Sequence, residues 1–234
     1  MTTMNEPIAK PDIQYDQISG RAIRSLPLYA LVPVAFALVF SAAGYPIDWK
    51  AFGLGALGWL VALFLRGPVS AIAMKLPQDR ARNVVVGSSG VLEEGVRLGL
   101  IALASTGASW AVSAGQGWAA VEVLYVMINV VLIASLVKRT DEKAMQAKQF
   151  LEAQGTVQAH PLWGVLERIW ASAFHVGCTL IVWRYGWSVV LLMPLHSALN
   201  LIAVRLAAKR SVPAASAFVA VAGVGTLAVG LLTI

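Results

Sequence analysis

Seven apolar blocks, each near the length that crosses a bilayer, dominate the chain and leave few folds open to it. They run over residues 27–46, 51–74, 84–105, 118–137, 161–183, 187–207 and 213–234. About 20 apolar residues span the hydrocarbon core as a helix. In lipid only helices and closed barrels satisfy every backbone N–H and C=O, and these blocks lack the strict alternation of barrel strands. The fold class that follows is all-α, a polytopic membrane helical bundle of about seven transmembrane helices. Composition agrees: 58% of residues are hydrophobic and 13% charged, too little charge to coat a soluble domain. Within the second block, Arg66-Gly67-Pro68 is expected to kink or break its helix.

The net charge of +6 does not point to nucleic acid, because the basic residues sit in the short segments between blocks. With the N-terminus inside, the inner segments carry Lys10, Arg21 and Arg24; Lys75, Arg80 and Arg82; Lys138, Arg139, Lys143 and Lys148; and Arg205, Lys209 and Arg210. Those are 13 basic residues, against Lys50 and Arg184 outside, with Arg66, Arg97 and Arg168 left inside helices. Such a bias predicts an N-in, C-out topology and a multi-pass protein of the cell's inner (plasma) membrane. Residues 1–26 are expected to form a polar cytoplasmic tail. Residues 27–234 form the transmembrane domain, with a partly helical cytoplasmic loop at about 138–160. The tail lacks the pattern of a cleavable signal peptide, so the first block reads as an uncleaved signal anchor. The lone Cys178 cannot form an internal disulfide and reads as a packing residue.

Ionisable groups inside the hydrocarbon are costly unless paired or hydrated, which makes each a functional candidate. The third block holds Glu93, Glu94 and Arg97, and the fourth holds Glu122, Tyr125 and Asn129. The fifth holds Glu167, Arg168, Ser172, His175 and Thr179, and the sixth His196 and Asn200. Arg97 lies four residues from Glu93 and three from Glu94, so either acid reaches it along the helix. Arg168, Ser172, His175 and Thr179 make one stripe at helical spacing. At 1.5 Å per residue, Glu94, His196, His175 and Glu122 all come out roughly 15–20 Å from the cytoplasmic ends of their helices. Singly, His175 and His196 read as hydrogen-bonded packing residues and Asn200 as an interhelical hydrogen bonder. Together, at one depth, they predict a shared hydrated cavity. Arg66 is expected to snorkel or to pair with Glu93 or Glu94, and His160 is a loop residue at the interface.

Three of these stretches resemble a known family. Gly90-Val-Leu-Glu93-Glu94-Gly-Val-Arg97 is similar to the G-x-x-E-E-x-x-R motif of YhfC-like membrane proteins. These are intramembrane proteases related in pattern to the PrsW and CAAX prenyl endopeptidase (CPBP) groups. Glu167-Arg168 followed by His175 resembles their E-R and helix-borne His, and His196-Ser-Ala-Leu-Asn200 their H-x-x-x-N. The motifs stand in the family's order on separate helices. Two departures stand beside them. The CAAX group spaces its first motif as E-E-x-x-x-R, and the family's G-H-G, followed by Glu, here reads Gly115-Gln116-Gly117, with Glu122 further on. Gln116 thus removes one candidate base or ligand.

The resemblance implies hydrolysis of a membrane-embedded or lipidated peptide. Glu93 or Glu94 would serve as general base, with Arg97 orienting the pair. His175 would position the water or protonate the leaving amine, and His196 and Asn200 would donate to the oxyanion. Glu122, Glu167 and Arg168 would support the cavity. Either no cofactor is needed or a zinc ion is held by His175, His196 and Glu94. The metal-free scheme is slightly favoured, because Arg97 competes with a cation for the acids. The partners implied are membrane lipids and a membrane protein or lipidated peptide. A proton-coupled transporter or channel would also place Glu, Arg and His at the midplane, and a non-catalytic scaffold would keep the same cavity for binding.

Overall fold

The computed structural model describes residues 15–137, 139–142, 144, 145, 148 and 159–234. Within them the chain is helical from end to end. A short helix α1 (Tyr15–Arg24) precedes α2 (Leu26–Ala42), α3 (Trp49–Ala73), α4 (Gln78–Ala104) and α5 (Ala108–Val137). After the loop come α6 (Leu162–Arg184), a 3-10 turn (Gly186–Ser188), α7 (Val189–Lys209) and α8 (Val212–Leu231). Each of the seven apolar blocks lies on one of the helices α2 to α8. Six of the seven are long and apolar enough to cross a membrane. The exception is α4. Its 27 residues make a rod of roughly 40 Å, but acids and bases interrupt its apolar character. It packs between α3 and α7 with Ser89, Glu93, Glu94 and Arg97 buried, so its polar side is turned away from lipid.

Local signals place the helix ends. Asp48 caps α3, accepting from the N–H groups of Lys50 and Ala51, while its own N–H donates to Ser113 Oγ at 3.0 Å. Ser211 caps α8 through the N–H of Ala214. These caps satisfy N–H groups that a helix start leaves open. The Gly67-Pro68 pair does not end α3, which runs on to Ala73.

Helix α5 begins at Ala108 rather than near 118. Its first turns, Ala-Ser-Trp-Ala-Val-Ser-Ala-Gly-Gln-Gly, are too small and polar to read as a span. Tertiary packing makes them helical. A Cβ on Gly117 would overlap the backbone of Phe52, and one on Gly55 the backbone of Ala114. Small residues that let backbones touch are the usual means of joining helices in lipid, where the hydrophobic effect between them is absent.

The most enclosed helix is α6: 61% of its spanning stretch is buried, against 17–28% in the other five. It packs against α2, α4, α5 and α8, which makes it the axis of the bundle and brings its polar stripe to the centre. The expected tail of residues 1–26 is described from Tyr15 onward, where α1 lies against α5, Ser19 Oγ donating to the carbonyl of Ala134 at 3.4 Å. Most of the expected partly helical loop at 138–160 falls outside the described residues. Within it, Arg139 pairs with Asp141 at 2.7 Å.

Candidate active site in the bundle interior

Two adjacent carboxylates on α4 go to different places. Glu94, fully enclosed, is gripped by Arg97 one turn on: Nε reaches Oε2 at 2.9 Å and a terminal nitrogen reaches Oε1 at 3.3 Å. Its Oε1 also lies 2.8 Å from His196 Nδ1 on α7. Glu93, a hundred degrees round the helix, faces a cavity of about 300 Å³. Arg66 of α3 donates to its Oε1, and the indole N–H of Trp118 on α5 donates to its Oε2 at 3.3 Å. The expectation that Arg97 serves the acids is met through Glu94, and Arg66 takes Glu93.

Arg97 organises the wall behind the cavity. Besides Glu94 it donates to the carbonyl of His175 at 3.2 Å and to Thr179 Oγ1 at 2.5 Å. Its guanidinium sits 4.2 Å from the ring centroid of Trp118, a favourable place for a cation. The terminal nitrogen that meets Glu94 Oε1 also lies 3.0 Å from His175 Nδ1. Arginine has no acceptor, so Nδ1 of His175 accepts and Nε2 carries the hydrogen. That hydrogen points to Glu122 Oε2, 2.6 Å away. By the same reasoning Glu94 takes the Nδ1 hydrogen of His196 and leaves Nε2 with an open lone pair.

A second ion group extends the network along the cavity. Arg168 donates to Glu122 Oε1 at 2.6 Å and to Glu167 Oε1 at 2.7 Å. All three residues line the cavity, as do Glu93, His175 and His196. Phe174 lies against both imidazoles, its ring centroid 5.7 Å from that of His175 and 4.9 Å from that of His196. Asn200 also reaches the cavity wall, and its amide nitrogen donates one hydrogen to Ser89 Oγ at 2.8 Å.

Glu93, His175 and His196, all buried, each offer a ligand atom within 4.8 Å of the other two. His175 Nδ1 lies 4.0 Å from Glu93 Oε2, and His196 Nε2 lies 4.0 Å from Glu93 Oε1. Two imidazoles and a carboxylate are a donor set suited to catalytic zinc. Glu94 behind His196 supplies the outer carboxylate that orients such a ligand. Glu93 fills the place in this group that the sequence suggested for Glu94. His175 Nδ1 joins it only by releasing Arg97.

Sequence reasoning passed over Trp118 and gave Arg66 no part beyond pairing. Spacing within one helix cannot reveal either, because each meets Glu93 from another helix. A tryptophan at the start of the fourth block and an arginine beside Gly-Pro were the available signals. Gln116, singled out against the family's His, does not line the cavity. Its two amide atoms are buried with no hydrogen-bond partner among the described residues.

These observations define a multi-pass helical membrane protein with interlocked carboxylates and imidazoles on the wall of an interior cavity. The chain belongs to the YhfC intramembrane metalloprotease family, whose model matches residues 28–222. No curated protein and no solved structure matches it.

Proposed function

We propose that the chain is an intramembrane peptidase that hydrolyses a membrane-embedded or lipidated peptide in the cavity bounded by helices α3 to α8. One observation carries the reading: the ligand atoms of Glu93, His175 and His196 converge within 4.8 Å of one another beside that cavity. Family membership supports the reaction class.

Glu93, His175 and His196 would hold a divalent metal, with zinc favoured by the donor types. When bound, such an ion supplies Lewis acidity and makes water nucleophilic at neutral pH. The chain's own groups do the rest. Glu94 keeps the Nδ1 hydrogen of His196 and so holds Nε2 toward the cavity. Arg97 fixes Glu94 and holds the backbone carbonyl of His175. Glu122 and Glu167 are the wall carboxylates left outside the ligand group, and Glu122, bonded to His175, is the one that adjoins it. Glu122 takes the proton of the attacking water and returns it to the leaving amine nitrogen as the C–N bond breaks. The wall of Phe174, Trp59 and aliphatic residues limits water to the reacting site. The orientation that goes with this reading puts the N-terminus and residues 138–160 in the cytoplasm and the C-terminus outside the plasma membrane, on the distribution of basic residues.

The test is reconstitution of the full chain in liposomes with a panel of single-span and lipidated peptides, with products read by mass spectrometry. Cleavage at a defined bond by the wild type, absent in Glu93→Gln and His196→Ala proteins that elute as the wild type does, is the expected result. No cleavage across the panel, together with proton flux that needs the same two residues, would replace the peptidase by a transporter.

A further inference from the structure

Two arginines line the cavity, and they differ in how fully their donors are used. Arg168 spends both terminal nitrogens on carboxylates, one on Glu122 and one on Glu167. Arg66 donates from one terminal nitrogen to Glu93. Its Nε is buried with no partner, and no hydrogen bond from its remaining nitrogen is found among the described residues. A guanidinium carries five N–H donors in a planar fork. The side chain of Arg66 lines the cavity and remains 25% exposed. Unspent donors on a buried cation are costly unless an acceptor arrives.

The position of Arg66 indicates what that acceptor is. It is tied to Glu93 through one terminal nitrogen, so its other terminal nitrogen is carried close to the converging ligand atoms. Peptide hydrolysis places negative charge on the scissile carbonyl oxygen as water adds to the carbonyl carbon. When the C–N bond breaks and the amine takes the proton, that oxygen becomes part of the new carboxylate. Of the two residues the sequence offered for this oxygen, His196 gives its Nδ1 hydrogen to Glu94 and Asn200 has one of its two amide hydrogens engaged by Ser89.

We propose that Arg66 is the carboxylate receptor of the cavity, taking the scissile carbonyl oxygen as it acquires charge and holding the carboxylate of the product. The identity of the anion rests on the peptidase reading, whereas the existence of the receptor does not. A guanidinium held in a fixed plane by one carboxylate keeps donors for a second acceptor, which the single ammonium of lysine does less well.

The experiment measures binding of a short apolar peptide with a free C-terminal carboxylate, and of the same peptide as its C-terminal amide, to the full chain in nanodiscs. The wild type is expected to bind the carboxylate about ten- to a hundredfold more tightly. Arg66→Gln loses that preference, and Arg66→Lys keeps part of it. With a cleaved substrate in hand, Arg66→Gln lowers kcat while KM changes little, the mark of an interaction made mainly in the transition state. Equal binding of the two peptides to the wild type overturns the proposal and needs no variant. So does a preference undiminished in Arg66→Gln. A preference that depends on Arg66, in a protein that cleaves nothing, keeps the receptor and removes the peptidase reading instead.

Discussion

Helix α6 meets its neighbours through two unlike faces. Toward α8 it is a bare seam: a Cβ on Gly177 would overlap the backbone of Thr226 and Leu227, and one on Gly223 the backbone of Trp170. Toward α4 and α5 it presents Arg168, His175 and Thr179, each bonded to a charged group from another helix. The first face is held by dispersion between backbones in contact, which no ion or proton alters. The second is held by charges that are tolerable only as a complete set, because removing one member leaves another buried and unpaired. One rod thus combines a rigid seam with a chemically responsive one, and the rigid side fixes where the responsive groups stand.

Gly177→Leu should break the comparison most severely. A leucine there has nowhere to go against α8, and loss of a monodisperse peak in detergent size-exclusion chromatography is expected. A variant that elutes and melts like the wild type would mean the seam is looser than drawn. Arg97→Ala comes next, since it strands Glu94; a loss of about 3–5 kcal/mol in unfolding free energy is expected, as for broken buried pairs elsewhere. The sharper form is the double change Glu94→Gln with Arg97→Gln, which should recover part of that loss. If it is no more stable than Arg97→Ala, charge pairing is not what holds this face. The smallest effect concerns Gln116, which belongs to neither face's network. Gln116→Leu removes a buried amide with no partner among the described residues and should stabilise the protein by roughly 1–3 kcal/mol. It should leave cleavage untouched, as a melting curve and a turnover assay on the same sample would show.

Much of this arrangement is legible in the chain. Long apolar blocks dictate helices in lipid, and counting residues along each brings Glu94, His175, His196 and Glu122 to a common depth. What counting cannot supply is rotation about the helix axis. Glu93 and Glu94 are neighbours in sequence, yet one faces the cavity and the other the arginine behind it, a choice made by how α4 packs on α3 and α7. The pairing of Arg66 with an acid of α4 was within reach of the sequence, but which acid it takes was not, and Trp118 was hidden altogether, because both arrive from helices whose relative register no single-helix pattern records. The early start of α5 was hidden because its glycines weaken a helix by propensity and strengthen it by contact.

The pairing of the α4 acids also bears on how this helix enters a bilayer at all. Alone, α4 is a poor candidate for insertion, with two acids and a base in its middle turns. Glu94 and Arg97 cancel within a single turn, and Glu93 is met by Arg66 from the helix just before it, across the brief turn that joins α3 to α4. The α3–α4 hairpin therefore carries its own neutralisation. It can leave the insertion machinery as a unit before α5, α6 or α7 has been made, with the groups destined for the interior already sheltered from hydrocarbon.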